Sequence, residues 1–283
     1  MRFILIGAGG QDGKFLFKKL SKRGHDVLGL SRGSVDTKSV NIADRFNLQK
    51  EIFNFRPDIV INLAAIASTD DKYLSQNYDA MINGSHNLSE ISKSSHRFHL
   101  INFGSIYQFE NSTGPINCET SKRNYNNHYS IFRNAQENIL KICSDNFYSV
   151  KHYYLCHHES KFSKANNFTT KLMFYLQGIL KGTVTEKLEI KKPSTVREWS
   201  DAEVITEKLV NTFENKLSSG FSVEIFNNKE GASTYNFIKN FCNYNDVNMD
   251  NFFEFGEDQK EYQTDNENFT YSEKTQKWIR SFK

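Results

Sequence analysis

Short apolar runs alternate with segments of helical spacing through the first 155 residues of the chain. The runs predict strands buried on both faces, and the spacing of apolar residues by three or four predicts amphipathic helices. The predicted strands span residues 2–7, 25–31, 59–65, 99–105 and 148–155. The predicted helices span residues 13–24, 47–55, 75–95 and 126–145. This alternation predicts an α/β fold with a doubly wound parallel sheet and helices on both of its faces.

The pattern weakens after about residue 160, where lysine, asparagine and phenylalanine dominate. We expect helices near residues 167–181 and 201–216 and a strand over 222–227. The stretch 243–270 is polar and predicts no element. The sequence therefore predicts two domains that are interleaved along the chain. They are a first domain over 1–160, to which 195–230 returns, and a smaller C-terminal lobe over 161–283.

Composition and charge narrow the class of protein. The chain has 283 residues, is 38% hydrophobic and carries a formal net charge of +3. That charge gives no electrostatic case for nucleic acid or membrane partners, and no segment approaches the ~20 apolar residues of a membrane span. The four cysteines form no C-x-x-C pair, which favours a reducing compartment and argues against a disulfide framework or a zinc site. The first ten residues are too short and too rich in glycine for a secretory signal, so we expect a cytoplasmic protein.

Three glycines separate the first predicted strand from the first predicted helix. Gly7, Gly10 and Gly13 form G-x-x-G-x-x-G, in which a residue without a Cβ permits a tight turn and a close approach to a pyrophosphate. The phosphates would then meet the positive end of the helix. The motif predicts a Rossmann domain that binds a dinucleotide, and the alternative is a purely structural glycine turn.

The end of the second predicted strand bears on the choice of dinucleotide. A carboxylate there would bind the ribose 2′-hydroxyl of NAD, but Leu30 is followed by Ser31, Arg32 and Gly33. A hydroxyl and a guanidinium suit a 2′-phosphate. The sequence therefore favours NADP(H) over NAD(H), unless Arg32 is an ordinary surface cation.

Several segments resemble the extended short-chain dehydrogenase/reductase family, and most of all its GDP-mannose 4,6-dehydratases and related nucleotide-sugar enzymes. The loop "GAGGQDG", with Gln11 and Asp12, resembles the family's glycine loop. "NIAD", with Asn41 and Ile42, resembles the segment beside the adenine. "RPDIVINLAA" is similar to the strand that lies along the cofactor. The resemblance implies that this strand would contribute Leu63, Ala64 and Ala65 to the cofactor site.

The resemblance also implies a substrate site. "LCHHES" at 155–160 resembles a dehydratase segment, with His157 in place of an asparagine and with Glu159 retained. "VREWSDAEV" resembles a segment whose arginine, here Arg197, reaches the nucleotide diphosphate, and Asn167 is assigned to the same site. The implied substrate is a nucleoside-diphosphate sugar, with GDP favoured. The implied assembly is a homodimer or a higher homo-oligomer, formed through helices 75–95 and 126–145.

Two features of the sequence bear on bound metal and on the nucleotide contacts. Neighbouring residues of a strand point to opposite faces, so His157, His158 and Glu159 predict no metal site. For Glu159, a structural ion pair is the alternative to a nucleotide contact.

The catalytic pair departs from the family pattern. Family members carry Y-x-x-x-K, in which the tyrosine moves a proton and the lysine lowers its pKa. This chain has Tyr129 and Arg133, one helical turn apart. Arginine keeps the charge but releases no proton, so we expect its electrostatic role to remain and a proton relay to be lost.

The second departure concerns the carboxylate of a dehydratase. The family carries Ser/Thr, Asp/Ser and Glu just before a V/L-Y-G triplet, and alignment on "IYQ" places Phe103, Gly104 and Ser105 there. Without that acid–base group, C5 deprotonation and loss of water have no catalyst in this stretch. We therefore predict an NADP(H)-dependent reductase of a 4-keto sugar, or the reverse dehydrogenase, in which Ser105 contacts the substrate.

Two alternatives stay open. One is a 4,6-dehydratase whose acid comes from Glu110 or Glu119. The other is a catalytically degenerate protein that binds a dinucleotide and acts as a sensor or partner.

Overall fold

The computed structural model describes residues 1–33, 36–110, 116–163, 167–215, 219–226, 231–256 and 269–282. The chain divides into two compact units, and it passes between them after Cys156, Ile205 and Phe226. The first unit consists of Met1–Cys156 and Thr206–Phe226. The second unit consists of His157–Ile205 and Asn227–Lys283. The roles predicted for two interleaved domains stay predictions.

The helices and strands are numbered along the chain. The helices are α1 (Gln11–Lys22), α2 (Arg45–Phe55), α3 (Leu74–Tyr78), α4 (Gly84–Ser94), α5 (His128–Ile142), α6 (Phe168–Lys181), α7 (Ala202–Asn215), α8 (Thr234–Tyr244) and α9 (Glu273–Arg280). The strands are β1 (Arg2–Ile6), β2 (Asp26–Ser31), β3 (Lys38–Ser39), β4 (Ile59–Asn62), β5 (His99–Ser105), β6 (Ser149–Leu155), β7 (Leu188–Ile190), β8 (Val196–Glu198), β9 (Gly220–Phe226), β10 (Gly231–Ser233) and β11 (Phe253–Phe255).

A seven-stranded sheet organises the first unit. Its order is β3-β2-β1-β4-β5-β6-β9, and every neighbouring pair is parallel. The order reverses direction between β1 and β4, which is the point beside which open α/β sheets bind their ligands. The predicted α/β fold of the Rossmann type is confirmed.

The core of the first unit shows why these segments form its strands and helices. Apolar side chains of β1, β4, β5 and β6 pack against α2, α4 and α5, and Ile4, Val60 and Leu100 are fully buried. In α5, Leu140 faces this core, whereas Ile131 is 41% exposed. The predicted helix over 75–95 is one helical run in which a π-helical turn, Asp79–Asn83, joins α3 to α4.

The second unit has its own core of aromatic side chains. The Trp199 and Phe237 rings stack with centroids 3.9 Å apart, and both residues are buried among side chains of α6, α8 and α9. Two small sheets flank this core, an antiparallel β10-β8 pair and a parallel β11-β7 pair. Within the described residues, no helix combines the length and apolarity that crossing a membrane requires.

Candidate active site

The glycine loop lies between β1 and α1, where its residues have little space for side chains. Gly7 has φ of +87°, and a Cβ on it would lie 3.0 Å from the carbonyl carbon of Leu63. A Cβ on Gly13 would lie 2.5 Å from the Gly7 oxygen, so only glycine fits there. Gly10 caps α1 without a side chain. The loop thus presents backbone at a helix N-terminus, and this cradle fits a dinucleotide pyrophosphate.

The predicted cofactor residues near the first turn of α1 and after β4 lie around this loop. Gln11 and Asp12 form the first turn, where Gln11 Nε2 donates to Asp12 Oδ1 at 3.3 Å. Leu63 follows β4, and its N–H donates to the Ile6 oxygen at 2.9 Å. Leu63, Ala64 and Ala65 are all half-buried. The glycine loop and the residues after β4 therefore adjoin each other at the carboxyl edge of the sheet.

A buried row of hydrogen-bonded side chains crosses β4, β5 and β6, and it ends at the backbone N–H of Ala64. This N–H donates to Asn62 Oδ1 at 3.1 Å, Asn62 Nδ2 donates to Asn102 Oδ1 at 2.8 Å, and Asn102 Nδ2 lies 3.0 Å from His152 Nδ1. The Ala64 N–H can only donate, so Asn62 Oδ1 must accept, and this fixes the orientation of the Asn62 amide and then that of the Asn102 amide. His152 Nδ1 must therefore accept from Asn102 Nδ2. Burial, with Arg133 and Arg123 nearby, lowers the pKa of His152 to about 3. His152 is therefore neutral at physiological pH, with its hydrogen on Nε2.

The end of β2 carries the residues predicted to choose between the dinucleotides. Ser31 and Thr37 share a hydrogen bond of 2.5 Å between their hydroxyl oxygens. Arg32 is exposed just after the strand, and Gly33 follows it. The stretch Ser31–Gly33 therefore presents a cation and a hydroxyl and no carboxylate.

Asn41 and Ile42 follow β3. Asn41 Oδ1 accepts the Ala43 N–H at 3.2 Å, and Ile42 is buried. Asn87 of α4 donates to the backbone oxygens of Ile42 and Ala43, each at 3.0 Å. These bonds fix the segment that resembles the adenine-binding segment of the family.

Tyr129 and Arg133 form a buried pair on α5. Arg133 Nε donates to Tyr129 Oη at 3.2 Å, and Arg133 Nη1 donates to the Phe103 oxygen and, at 3.0 Å, to Gln136 Oε1. Tyr129 is 5% exposed and Arg133 is 6% exposed. A guanidinium only donates, so the phenol oxygen accepts and its hydrogen must point elsewhere. Within the described residues, no protein acceptor lies within hydrogen-bond distance for that hydrogen.

Arg133 is held by residues that the sequence did not single out. Gln136, which accepts from Arg133, donates through Nε2 to Ser85 Oγ at 3.1 Å. Gln136 and Ser85 are fully buried, and Ser85 lies on α4. The spacing of Gln136 from Arg133 is the sequence signal that would have revealed this contact, because residues three apart share a helix face.

Phe103, Gly104 and Ser105 end β5. The Phe103 ring stacks on Tyr153, with centroids 5.9 Å apart, and contacts Phe213, so it is packed in the core of the first unit. Ser105 Oγ accepts the Tyr107 N–H at 3.3 Å. The hydroxyl predicted to touch substrate therefore caps the short turn that follows β5.

Gly104 has no room for a side chain. A Cβ built on it would overlap Gln108 Oε1 and His152 Nε2. Gln108 Oε1 is fixed by the Ser105 N–H, which donates to it at 2.9 Å. The position that carries Asp or Ser in the resembling family is therefore closed here.

The two acids of the dehydratase alternative, Glu110 and Glu119, follow the turn Ile106–Gln108 along the chain. Glu110 Oε1 pairs with Lys122 Nζ at 2.9 Å. Glu119 is exposed, and its N–H donates to Asn117 Oδ1 at 2.8 Å.

In the second unit, Arg197 and His157 lie near each other. Arg197 Cζ sits 5.2 Å from the ring centroid of Phe168, a residue that the sequence did not indicate. Arg197 Nε is buried and has no hydrogen-bond partner among the described residues. Burial first, and then the charges of Arg197 and His158, lower the pKa of His157 to about 4. The pair thus offers a cation beside a neutral imidazole.

The other two predicted substrate residues are also in the second unit. Glu159 Oε2 accepts from Thr170 Oγ1 at 3.4 Å. Asn167 is exposed and precedes α6 as its N-cap residue, without a side-chain capping bond.

Comparison with known proteins assigns the family. The sequence profile described as "NAD dependent epimerase/dehydratase family" matches residues 3–216. The chain belongs to this family. The family expectation drawn from the motifs is confirmed. A stretch of 85 residues is 36% identical to the spore coat polysaccharide biosynthesis protein SpsK of Bacillus subtilis (strain 168). That stretch is 29% of this chain and spans only 28% of SpsK.

Solved structures share the fold at low sequence identity. RMD from Pseudomonas aeruginosa, complexed with NADPH, has a TM-score of 0.77 and 14% identity over 100% of this chain and 98% of its own. The UDP-glucose 4-epimerase of Thermus thermophilus, complexed with NAD, has a TM-score of 0.72 and 16% identity. That match covers 99% of this chain and 97% of the epimerase. At these identities the likeness concerns the fold alone.

Proposed function

We propose that this protein transfers a hydride between NADP(H) and the sugar of a nucleoside-diphosphate sugar, in the direction of reducing a 4-keto sugar or in reverse. The single observation that carries the proposal is the Tyr129 phenol. Its oxygen accepts from Arg133, and its hydrogen has no acceptor among the described residues. A phenol held in this way can give its proton to a carbonyl oxygen of a bound sugar.

Arg133 acts as the positioning and electrostatic partner of Tyr129. Its contacts with the Phe103 oxygen and Gln136 hold the guanidinium against the phenol oxygen. A fixed cation stabilises the phenolate that remains once the proton has left. Within the described residues no carboxylate pairs with Arg133, so its charge is not neutralised by the protein.

The glycine loop and the residues after β4 would hold the dinucleotide, which when bound supplies or accepts the hydride. Gly7, Gly10 and Gly13 would allow the pyrophosphate to approach backbone at the start of α1. Arg32 and Ser31 support NADP(H), because a guanidinium pairs with a 2′-phosphate and Ser31, Arg32 and Gly33 include no carboxylate. Structures of this fold occur with NADPH in RMD and with NAD in the UDP-glucose 4-epimerase of Thermus thermophilus.

The second unit would bind the nucleotide part of the substrate. Arg197 is a cation with a buried, unpartnered Nε, and His157 beside it is neutral, so the pair suits a diphosphate rather than a cation. Glu159 and Asn167 would contribute polar contacts. GDP is the base that we favour, on the resemblance of "LCHHES" and "VREWSDAEV" to GDP-mannose dehydratases.

Self-association is part of the proposal. Tyr78 of α3 is 45% exposed and Ile131 of α5 is 41% exposed, which supports a homodimer through these helices.

The closed position at Gly104 favours reduction over dehydration. Elimination of water from the sugar requires a carboxylate. Ser105 stands where the resembling family carries its glutamate, and His152 with Gln108 leaves no space for an aspartate at Gly104. Of the two acids of the dehydratase alternative, Glu110 is paired with Lys122, and Glu119 is exposed.

The test measures loss of NADPH absorbance after addition of GDP-4-keto-6-deoxymannose to wild type and to Tyr129→Phe. Wild type should oxidise NADPH, and the variant should be slower by ~100-fold or more. Formation of a 4-keto product from GDP-mannose without net NADPH consumption would support the dehydratase alternative. Dinucleotide binding without either reaction, unchanged in Tyr129→Phe, would support the sensor alternative. Both outcomes contradict the reductase.

A further inference from the structure

One backbone segment of the second unit carries two of the residues proposed to bind the nucleotide, His157 and Glu159. The Glu159 N–H donates to the Ser200 oxygen at 3.0 Å, and the Glu159 oxygen accepts the Ala202 N–H, also at 3.0 Å. These bonds form the parallel bridge between Glu159 and Asp201. The backbone of the segment is therefore held against the residues at the start of α7.

A second donor reaches the same Glu159 oxygen from α9. Trp278 Nε1 donates to it at 3.0 Å, and Trp278 is only 4% exposed. An indole N–H can only donate, and a carbonyl oxygen has two lone pairs, so Ala202 and Trp278 together engage both. A buried indole N–H without an acceptor would cost free energy, so this bond fixes α9 to the Glu159 backbone.

The helix α9 is itself anchored in the core of the second unit. Gln177 of α6 donates through Nε2 to the Arg280 oxygen at 3.1 Å. Gln276 Nε2 donates to Asn245 Oδ1, which follows α8, at 2.7 Å. Ile279 is fully buried in the aromatic core. The indole that reaches Glu159 is thus presented by an element with contacts to two other helices.

Packing alone does not account for the placement of the Trp278 nitrogen. Both tryptophans of the chain donate to a backbone oxygen at 3.0 Å, but Trp199 donates to Ala232 in β10, whereas Trp278 donates to a residue proposed to bind substrate. Trp278 also lies outside residues 3–216, the part of the chain that matches the family profile. Likeness to the family therefore assigns it no role.

We propose that Trp278 is a positioning residue for the nucleotide part of the substrate. The proposal rests on the proposed binding of a nucleotide sugar by the second unit, and it deepens that function. Trp278 acts through Glu159, whose backbone it holds in one place before the substrate arrives. A segment that is already ordered binds at a lower entropic cost than one that must be ordered by its ligand.

The test compares wild type with Trp278→Phe and Tyr175→Phe, all as full chains. Trp278→Phe keeps an aromatic ring in the core and removes the N–H donor. Tyr175→Phe is the matched control, because the Tyr175 hydroxyl also donates to backbone oxygens of the second unit, those of Glu186 at 2.7 Å and Phe252 at 2.6 Å. Gln177→Leu is a second variant, which loosens α9 from α6 and leaves the indole unchanged. Thermal melts check that each protein is folded.

Two quantities are measured on each protein. Hydrogen exchange followed by mass spectrometry, without ligand, reports the opening of backbone amides at residues 157–160. Calorimetry gives the affinities for GDP-mannose, for UDP-glucose and for NADPH. The exchange measurement needs no substrate, so it tests the Trp278 contact independently of which nucleotide the protein binds.

Trp278→Phe should exchange these amides about five-fold faster and should bind the nucleotide sugar about five-fold more weakly, which is the loss expected of one hydrogen bond. Its affinity for NADPH should stay that of wild type, because the glycine loop of the first unit is proposed to hold the dinucleotide. Gln177→Leu should show the same difference between the ligands at a smaller size. Tyr175→Phe should change neither quantity.

Unchanged exchange at residues 157–160 in Trp278→Phe would overturn the positioning role, as would an unchanged affinity for the nucleotide sugar. Equal losses of affinity for NADPH and for the nucleotide sugar would also overturn it, because they would mark a general structural role. In these cases binding by wild type leaves the proposed function standing. A wild type that binds neither nucleotide sugar contradicts the proposed function itself, and the substrate role of Trp278 falls with it even where exchange is faster.

Discussion

His152 Nε2 occupies the space that the first side-chain carbon of residue 104 would need. The two residues are diagonal neighbours on the same face of the sheet, because Gly104 pairs with Tyr154 and Asn102 pairs with His152 in the ladder of β5 and β6. The absence of a side chain at 104 and the presence of a buried histidine at 152 are thus one structural feature. Because of this feature, the end of β5 differs from the dehydratase pattern, although the neighbouring motifs resemble that pattern.

Replacement of Gly104 should therefore destabilise the fold. We expect Gly104→Ala to lower the free energy of unfolding by about 1–3 kcal/mol, the usual cost of overpacking a filled site. Urea titration followed by fluorescence measures it. Gly231→Ala is the matched control, because among the described residues a Cβ there would approach Val196 alone, at 3.9 Å. Equal stability of both variants would show that His152 and Gln108 move aside readily.

The low pKa of His152 should make stability fall with acidity. In the unfolded chain this histidine titrates near pH 6.5, whereas in the folded state its pKa is about 3. Below pH 6.5 the unfolded state binds the extra proton first, so stability is full above that pH and declines as pH falls towards 3, by at most about 1.4 kcal/mol per pH unit.

Chemical denaturation of wild type and His152→Gln at several pH values isolates this contribution. The variant removes the titrating group while leaving the carboxylates and His157 to titrate as before. Its stability should fall less steeply than that of wild type between pH 6.5 and 4. Parallel curves for the two proteins would contradict a neutral buried imidazole.

Arg133→Lys should separate the charge of the cation from its shape. A lysine keeps the charge but lacks the planar fork that reaches Tyr129, the Phe103 oxygen and Gln136 together. We expect a loss of about 1–3 kcal/mol in unfolding free energy, because a buried acceptor loses its donor. Thermal and urea unfolding measure the loss, and the NADPH assay of the same variant measures its rate. A variant as stable as wild type would show that lysine satisfies the same acceptors.

Most of the first unit could be predicted from periodicity because its elements are long enough to show it. The buried strand "IVIN" and the amphipathic helix that contains Tyr129 and Leu140 both follow from spacing alone. The π-helical turn at Asp79–Asn83 could not, since its apolar pattern is that of an ordinary helix. In the second unit, β7, β8, β10 and β11 have three residues each, which is too short for any alternation to be read.

The candidate site likewise has some features that the sequence reveals and others that only the fold brings together. The glycines and the Tyr129–Arg133 spacing are local signals, so the sequence reveals them. The row Asn62–Asn102–His152 joins residues 40 and 50 positions apart along the chain, and strand register brings them together. Phe168 beside Arg197 is likewise a tertiary contact. Such contacts decide which positions are open or closed, and only the folded chain shows them.

The Arg123–Glu137 pair should contribute more to stability than the surface ion pairs of the same protein. Its side chains are 26% and 10% exposed, whereas those of the Lys277–Glu273 pair are 74% and 75% exposed. Glu137→Gln leaves a half-buried guanidinium without its counter-charge, so we expect a loss of about 1–3 kcal/mol. Glu273→Gln should leave stability nearly unchanged, because an exposed ion pair on a helix surface contributes little. Urea titrations of the two variants measure both losses, and equal losses would mean that the Arg123–Glu137 pair is no more than a surface contact.

Arg32→Ala should reveal which dinucleotide the protein prefers. If the guanidinium after β2 pairs with a 2′-phosphate, its loss removes a charge-assisted hydrogen bond and weakens NADPH binding about ten-fold. NADH lacks that phosphate, so its affinity should change little. Quenching of intrinsic fluorescence by each dinucleotide gives the two affinities. Lys22 is an exposed cation on α1, so Lys22→Ala controls for the general loss of one positive charge.

A fall in affinity of the same size for NADPH and NADH would show that Arg32 does not contact the 2′-phosphate. A wild type that already binds NADH more tightly than NADPH would contradict the preference itself, because the hydroxyl and guanidinium at Ser31 and Arg32 would then be surface groups beside an NAD site.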